Sequence, residues 1–123
     1  MNPEKPLILV VEDDEDSLSA LCAILEALGY SHIAFPSAKA ALSEIGGKNI
    51  KLALLDIMMP EMNGYELLQE IKKMEEFAAL PIIMVTAKDQ DSEILEGYQF
   101  GADYYITKPF TSKQIEYGVK LFL

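Results

Sequence analysis

Residues 7–16 read LILVVEDDED, an apolar run that passes directly into five consecutive acids. The run from Leu7 to Val11 contains no polar residue, which is typical of a strand buried on both faces of a parallel sheet. Four further runs have a similar or weaker strand pattern: Ile50 to Leu55, Pro81 to Val85, His32 to Phe35 and Asp103 to Ile106. The opening stretch therefore predicts a buried strand that ends in a group of carboxylates.

Segments with apolar residues at helical spacing follow each of these strands. They include the positions Leu21, Ala41, Leu68, Leu95 and Val119. Glycines that could cap a helix end in the left-handed conformation follow three of them, at Gly29, Gly46 and Gly101. Residues suited to N-caps precede two of them, at Ser37 and Thr111.

This alternation of strand and helix predicts an α/β fold. We expect a flavodoxin-like (βα)5 domain, with a doubly wound parallel five-stranded sheet in the order 2-1-3-4-5. The weaker strands would lie at the sheet edges, and residues 1–123 would form one domain. In this order the chain reverses direction between strands one and three, and ligands bind beside the carboxyl ends of the strands at that point.

Three carboxylates fall at that reversal point. Glu12 and Asp13 follow the first strand, and Asp56 follows the third. Carboxylates so close together repel one another and raise one another's pKa, so a bound cation is expected to share the site. Because the donors are all oxygens, Mg²⁺ is the expected ion, with Mn²⁺ as the alternative.

The ends of the fourth and fifth strands add Thr86, a hydroxyl donor, and Lys108, a positive charge. A carboxylate nucleophile, a metal, a hydroxyl and an ammonium together suit phosphoryl transfer to Asp56. Each residue alone has a structural explanation, because acids favour helix starts and an aspartate after a strand is commonly a turn residue. Their coincidence at the carboxyl ends of the strands is what favours a functional site.

The composition narrows the function classes. With 20 acidic and 10 basic residues the formal net charge is -10, which disfavours direct binding of nucleic acid or anionic membranes. The single cysteine excludes an intramolecular disulfide, and the first apolar run is too short for a signal peptide or a membrane span. We therefore expect a cytoplasmic protein.

Four separated segments resemble the receiver domain of two-component response regulators: LILVVEDDED, LLDIMMPEMNGYEL, PIIMVTAKD and GADYYITKPF. The resemblance extends over nearly the whole chain and implies a phosphoacceptor signalling domain rather than an enzyme with a separate substrate. Asp56 would receive its phosphoryl group from a histidine kinase or a histidine phosphotransfer protein. Glu12 and Asp13 would form the acidic metal pair.

The resemblance also implies roles at further positions. Asp56 and the main-chain carbonyl of Met58 would complete the protein ligands of the metal, and Thr86 and Lys108 would contact the phosphoryl oxygens. Tyr105 falls at the aromatic switch position of the family, coupled to Thr86. The surface that changes would be the face of the fourth helix, fifth strand and fifth helix (α4-β5-α5 in the family), where an effector or a second copy would bind.

Three other readings remain open on the sequence alone. One is a receiver domain used mainly for docking, with phosphorylation secondary. A second is an FMN electron carrier, although five acids after the first strand would repel the FMN phosphate. A third is an aspartate-nucleophile phosphatase, which would place the nucleophile after the first strand rather than the third.

Overall fold

The computed structural model describes residues 6–87 and 101–123, and all structural statements below refer to these ranges. They contain five strands and four α-helices. The strands are β1 (Leu7–Val11), β2 (Ser31–Phe35), β3 (Ile50–Asp56), β4 (Ile82–Thr86) and β5 (Tyr104–Thr107). The helices are α1 (Glu15–Ala27), α2 (Ala38–Glu44), α3 (Gly64–Lys73) and the C-terminal helix (Ser112–Phe122), with a short 3₁₀ turn at Glu75–Phe77.

The strands form one parallel sheet in the order β2-β1-β3-β4-β5, which confirms the predicted fold and strand order. The two strands with the weaker sequence pattern, β2 and β5, lie at the edges as expected. The carboxyl ends of β1 and β3 are adjacent, because these strands pair directly. The residues that follow them therefore meet at one point of the sheet rim.

Two hydrophobic clusters cover the two faces of the sheet. One contains Leu9, Leu55 and Met84 from the strands and packs against α2 and α3. The other contains Val10, Leu54 and further strand residues, and packs against α1 and the C-terminal helix. Because the side chains alternate along each strand, the central strands β1, β3 and β4 are buried on both faces, as their apolar runs predict. Lys51, which interrupts the apolar run of β3, is the one exposed residue in these three strands.

Side-chain caps fix where the helices begin. Asp14 accepts a hydrogen bond from the main-chain N–H of Ser17 at α1, and Ser37 caps α2 in the same way. Asn63 and Thr111 begin α3 and the C-terminal helix with reciprocal capping boxes. The acids Asp14, Glu15 and Asp16 are therefore explained by the start of α1, which separates them from Glu12 and Asp13.

Three expectations differ from the structure in detail. Gly29 and Gly101 have positive φ as predicted, but after α2 the positive φ is at Gly47 and not at Gly46. The reason is a turn in which the Lys48 N–H bonds to the Ile45 carbonyl, so that Gly47 occupies the third position. Asp56 and Thr86 are the last residues of their strands and do not follow them.

The third difference is that β5 begins at Tyr104, because Asp103 uses its carboxylate to accept the Ile82 N–H at 2.8 Å. The predicted fourth helical segment, which contains Leu95, lies outside the described residues. None of the helices within the described ranges combines the length and the apolar character that crossing a membrane requires.

Candidate functional site

Glu12 and Asp13 occupy the two positions between the end of β1 and the cap of α1. The main chain of Glu12 continues the sheet by donating its N–H to the carbonyl of Phe35 at 3.1 Å. Its carboxylate is 1% exposed and accepts the Asp14 N–H through Oε2 at 3.1 Å. The Asp13 side chain is exposed. The pair therefore presents one buried and one open carboxylate at the same rim.

Asp56 ends the central strand β3 and is only 4% exposed. Carboxylate oxygens of Glu12, Asp13 and Asp56 all lie within 4.8 Å of one another. The Met58 N–H makes a long contact of 3.4 Å to Asp56 Oδ1, which fixes the orientation of that carboxylate. The structure thus brings together the three acids that the sequence analysis placed at the switch point of the sheet.

Lys108 supplies the positive charge of the site. Its Nζ lies 2.5 Å from Glu12 Oε1 and 3.7 Å from Asp56 Oδ1, and its side chain is largely buried. Its main-chain N–H donates to the carbonyl of Thr86 at 2.7 Å, which ties the residue to the end of β4. The following bond, Lys108–Pro109, is cis.

The electrostatic balance of the site is unfavourable for three charged carboxylates. Burial raises the pKa of the Asp56 carboxyl to about 8, and a hydrogen bond and negative charge from Glu12 act in the same direction. Lys108 opposes this rise. Burial alone would lower the pKa of the Lys108 ammonium, but the contacts with Glu12 and Asp56 outweigh it and raise the pKa. One ammonium therefore only partly compensates the acids.

The donor set fits a hard divalent cation. Glu12 Oε1 is buried and forms an ion pair with the Lys108 ammonium, and among the described residues it accepts no hydrogen bond. Together with oxygens from Asp13 and Asp56 it offers the all-oxygen surroundings that Mg²⁺ and Mn²⁺ prefer. These residues could hold such an ion, with water completing its coordination.

The other residues singled out from sequence lie close to this rim. Thr86 is fully buried at the end of β4, and Thr107 is its register partner on β5. Tyr105 pairs with Met84, two residues before Thr86, so Tyr105 and Thr86 lie on the same face of the sheet. The side chain of Met58 is 55% exposed beside Asp56, and its carbonyl remains a predicted ligand.

Two residues that the sequence analysis did not single out belong to the surroundings of the site. A Cβ atom at Gly64 would lie 2.3 Å from the main-chain oxygen of Asp56, so only glycine fits there. The next residue, Tyr65, places its hydroxyl 2.7 Å from that of Tyr105. In the sequence, Gly64 is the glycine of MPEMNGYEL. Its φ is not positive, so close packing and not backbone conformation explains why glycine is needed there.

Comparison with known proteins assigns the family. The family model described as the response regulator receiver domain matches residues 8–120. The chain belongs to the receiver domain family. The four sequence segments that suggested this family therefore led to the correct fold and function class, a signalling domain of two-component response regulators rather than a classical enzyme.

Similar proteins include the transcriptional regulatory protein RprY of Bacteroides fragilis, which is 38% identical over 98% of this chain and 50% of its own length. The chain spans about half the length of the relatives it matches. The BeF3-activated receiver domain of DrrB is 30% identical, with a TM-score of 0.86 and 97% of each chain covered. Chemotaxis protein CheY4 of Vibrio cholerae has a TM-score of 0.92 over 98% and 100% of the chains at 22% identity, which shows the shared fold.

Membership of the family decides between the readings left open by the sequence. Its members work with histidine kinases in two-component signalling, and the family as a whole uses Mg²⁺. This membership argues against an FMN carrier and an aspartate-nucleophile phosphatase, because the match covers residues 8–120. A receiver domain used mainly for docking remains the alternative to phosphorylation of this chain.

Proposed function

We propose that this receiver domain is a phosphorylation switch in which Asp56 accepts a phosphoryl group from a histidine kinase or a histidine phosphotransfer protein. The observation that carries the proposal is the geometry at the end of β3. A buried carboxylate there lies within 4.8 Å of two further acids and 3.7 Å from the Lys108 ammonium. The resemblance of the chain to DrrB, whose receiver domain has a BeF3-activated form, supports the same reading.

The side chains divide the chemistry between them. One Asp56 carboxylate oxygen forms the new bond to phosphorus while the bond from phosphorus to the donor's histidine nitrogen breaks, and that nitrogen keeps the electron pair. Lys108 and the hydroxyl of Thr86 would contact the phosphoryl oxygens from neighbouring strand ends. Bound Mg²⁺ would offset the charge that develops on those oxygens. Because the group that accepts the phosphoryl group is a residue of the domain and not a separate substrate, the domain would not be a conventional enzyme.

The metal ligands differ in their roles. Asp13, which is exposed, would be the more direct carboxylate ligand of Mg²⁺, with Asp56 and the carbonyl of Met58. Glu12 is buried against Lys108 and would be the less direct member of the acidic metal pair. Residues 1–123 would form one receiver domain, which the family match to residues 8–120 supports. The same membership supports a cytoplasmic location.

Acetyl phosphate tests the proposal without a known kinase. The protein is incubated with acetyl phosphate and Mg²⁺, and the intact mass is measured. We expect one added phosphoryl group on the wild type and on the control variant Asp16→Asn, and none on Asp56→Asn. Asp16 is a suitable control because it is an exposed acid in the first turn of α1. Equal labelling of Asp56→Asn would place the chemistry elsewhere, and no labelling of the wild type would favour the docking alternative.

The signal would pass to the β5 edge through Thr86 and Tyr105. A phosphoryl group brings acceptor oxygens and charge to the rim, and Thr86 ends the neighbouring strand with a hydroxyl. Drawing Thr86 inward would free space for Tyr105 on the same sheet face. Because the shift is a change of population, its size is limited by the differential contact of the phosphoryl group with the two packings.

Beryllofluoride, a phosphoryl mimic, provides the test of this read-out by amide NMR. We expect wild-type shifts to spread from Asp56 to β5, and Thr86→Ala to retain shifts near Asp56 but lose most of those around Tyr105. Full shifts at Tyr105 in Thr86→Ala would show that the coupling does not run through Thr86.

An effector or a second copy of the chain would bind the face that includes β5 and the C-terminal helix. These two elements correspond to the fifth strand and fifth helix of the family. Tyr117 is 60% exposed there and its ring lies 6.1 Å from that of Tyr104. Leu121, one turn further along the helix, is also exposed. This apolar surface supports protein contacts, whereas the net charge of -10 supports the expectation that the domain itself binds neither nucleic acid nor membranes.

A further inference from the structure

A hydrogen bond joins α3 to the edge strand β5. The hydroxyl oxygens of Tyr65 and Tyr105 are 2.7 Å apart, and either can donate to the other. Tyr65 is the second residue of α3 and Tyr105 the second of β5. Both rings are half-buried and pack against the cluster beneath α2 and α3. The pair therefore connects two elements that are 40 residues apart in sequence.

The contact defines how the Tyr105 side chain is placed. β5 is the edge strand and β4 lies between it and β3. A side chain on β5 that reaches α3 must point inward over the sheet rather than outward beyond the edge. Met84, the register partner of Tyr105, belongs to the same cluster, so the ring lies on the face that also carries Thr86. The Tyr65 hydroxyl therefore stabilises the inward placement of Tyr105.

Tyr65 is also connected to the main chain at Asp56. The Gly64 N–H donates to the carbonyl of Ile57 at 3.0 Å. A Cβ atom at Gly64 would lie 2.3 Å from the Asp56 oxygen and 2.8 Å from the Met84 methyl group. With no free space between β3 and the start of α3, a displacement of the chain at Asp56 would be passed to Tyr65. This route does not include Thr86.

We infer that Tyr65 is a positioning residue for Tyr105, which holds the phenol inward and so favours the arrangement that phosphorylation selects. The inference rests on the proposed function in one respect, that inward Tyr105 belongs to the phosphorylated arrangement. A neutral hydrogen bond of this kind corresponds to about a fivefold change in the ratio of inward to outward placement. A ligand that selects the inward arrangement then binds less tightly when that arrangement is less populated.

Tyr65→Phe removes the hydroxyl and keeps the ring. Tyr104→Phe is the matched control, because Tyr104 is the adjacent tyrosine of β5 and packs on the opposite face against the other cluster. Contacts between the ring of residue 65 and the ring of Tyr105 are measured by NMR, followed by titration with beryllofluoride in the presence of Mg²⁺. We expect Tyr65→Phe to lower the ratio of inward to outward Tyr105 about fivefold and to weaken beryllofluoride binding by up to that factor.

Tyr104→Phe should leave both quantities at the wild-type value. A second measurement uses the cycle of Tyr65→Phe, Tyr105→Phe and the double variant, in which the hydroxyl pair should show a coupling in unfolding free energy. An unchanged Tyr105 ring position in Tyr65→Phe, or a coupling of zero, would overturn the inference. If the wild type accepts no phosphoryl group, the proposed function fails, but the ring position without beryllofluoride still tests the role of Tyr65.

Discussion

The carboxylate of Asp56 is held in surroundings that disfavour its charge. It is buried, Glu12 adds a hydrogen bond and negative charge, and Asp13 adds a hydrogen bond, while Lys108 at 3.7 Å offsets this only in part. Burial and these neighbours raise its pKa to about 8. In the unfolded chain the same carboxyl has its ordinary pKa near 3.8, because burial and neighbours are lost. The difference makes the stability of the fold depend on pH.

We expect Asp56→Asn to stabilise the protein in chelator, and to do so increasingly as the pH rises from 4 to 8. Over this interval the folded wild type retains a proton on Asp56 that the unfolded chain releases, so its free energy of unfolding falls with rising pH. The asparagine cannot titrate, so the variant does not lose stability in this way. Urea denaturation at several pH values measures the difference in free energy of unfolding between the two proteins, with Asp16→Asn as control. A gap that is constant or shrinks with pH would contradict the assigned surroundings of Asp56.

The sequence allowed the acidic residues to be chosen but not their individual roles. Spacing after β1 and β3 predicted Glu12, Asp13 and Asp56 together, because the topology fixes where strand ends meet. It could not show that Glu12 is buried against Lys108 whereas Asp13 is exposed, since both follow the same strand. Tyr65 was missed because one aromatic residue in a helix commonly indicates only core packing.

The start of α3 packs against the end of β3 without an intervening side chain. Gly64 begins the helix, and its N–H donates to the Ile57 carbonyl at 3.0 Å. A Cβ there would come within 2.3 Å of a main-chain oxygen and 2.9 Å of the Ile57 Cα, neither of which can rotate away. This contact sets the distance between α3 and the rim that carries Asp56, so the element and the site are coupled.

Gly64→Ala is expected to destabilise the fold by about 1–3 kcal/mol, the range found when atoms are forced into a packed interior. It should also slow labelling of Asp56 by acetyl phosphate, since α3 must move away from the strand end. Gly46→Ala is the control, because its nearest contact would be 3.9 Å to the Met74 methyl group and its φ is not positive. That variant should be neutral or slightly more stable. Equal unfolding free energies for the two variants would refute the steric argument.

Elements were predictable where the pattern of side chains is repetitive and less so at turns. The strands and the caps Ser37 and Thr111 followed from sequence, because burial period and cap chemistry are local properties. The choice between Gly46 and Gly47 depended on where α2 ends, which is set by the turn from Ile45 to Lys48. Either glycine satisfies the local rule, so only the folded chain distinguishes them.

The whole molecule carries a formal net charge of -10, and three of its acids meet at one rim of the sheet. Any salt reduces self-repulsion of this kind, whereas we expect a divalent ion to reduce it through those three residues. The fold and its strand order followed from the sequence because alternation of strands and helices allows few topologies. The meeting of Glu12, Asp13 and Asp56 followed from that strand order, whereas the burial of Glu12 against Lys108 did not.

We expect Mg²⁺ to raise the free energy of unfolding by about 1.4 kcal/mol at ten times its dissociation constant.

Asp13→Ala should weaken Mg²⁺ binding and phosphorylation together, and without Mg²⁺ it should be at least as stable as the wild type because a repulsive charge is gone. Glu15→Gln, which removes an exposed acid of the first turn of α1, should bind Mg²⁺ normally. Titration calorimetry at matched ionic strength measures the Mg²⁺ affinity of both variants. An unchanged affinity in Asp13→Ala would exclude Asp13 as a ligand.

Locating the modified residue shows whether Asp56 is the phosphoacceptor. After treatment with acetyl phosphate and Mg²⁺, borohydride reduces an aspartyl phosphate to homoserine, and peptide mass spectrometry identifies the position. We expect homoserine at residue 56 and unchanged carboxyl groups at Glu12 and Asp13. A reduced residue at position 12 or 13, or at any position other than 56, would contradict it.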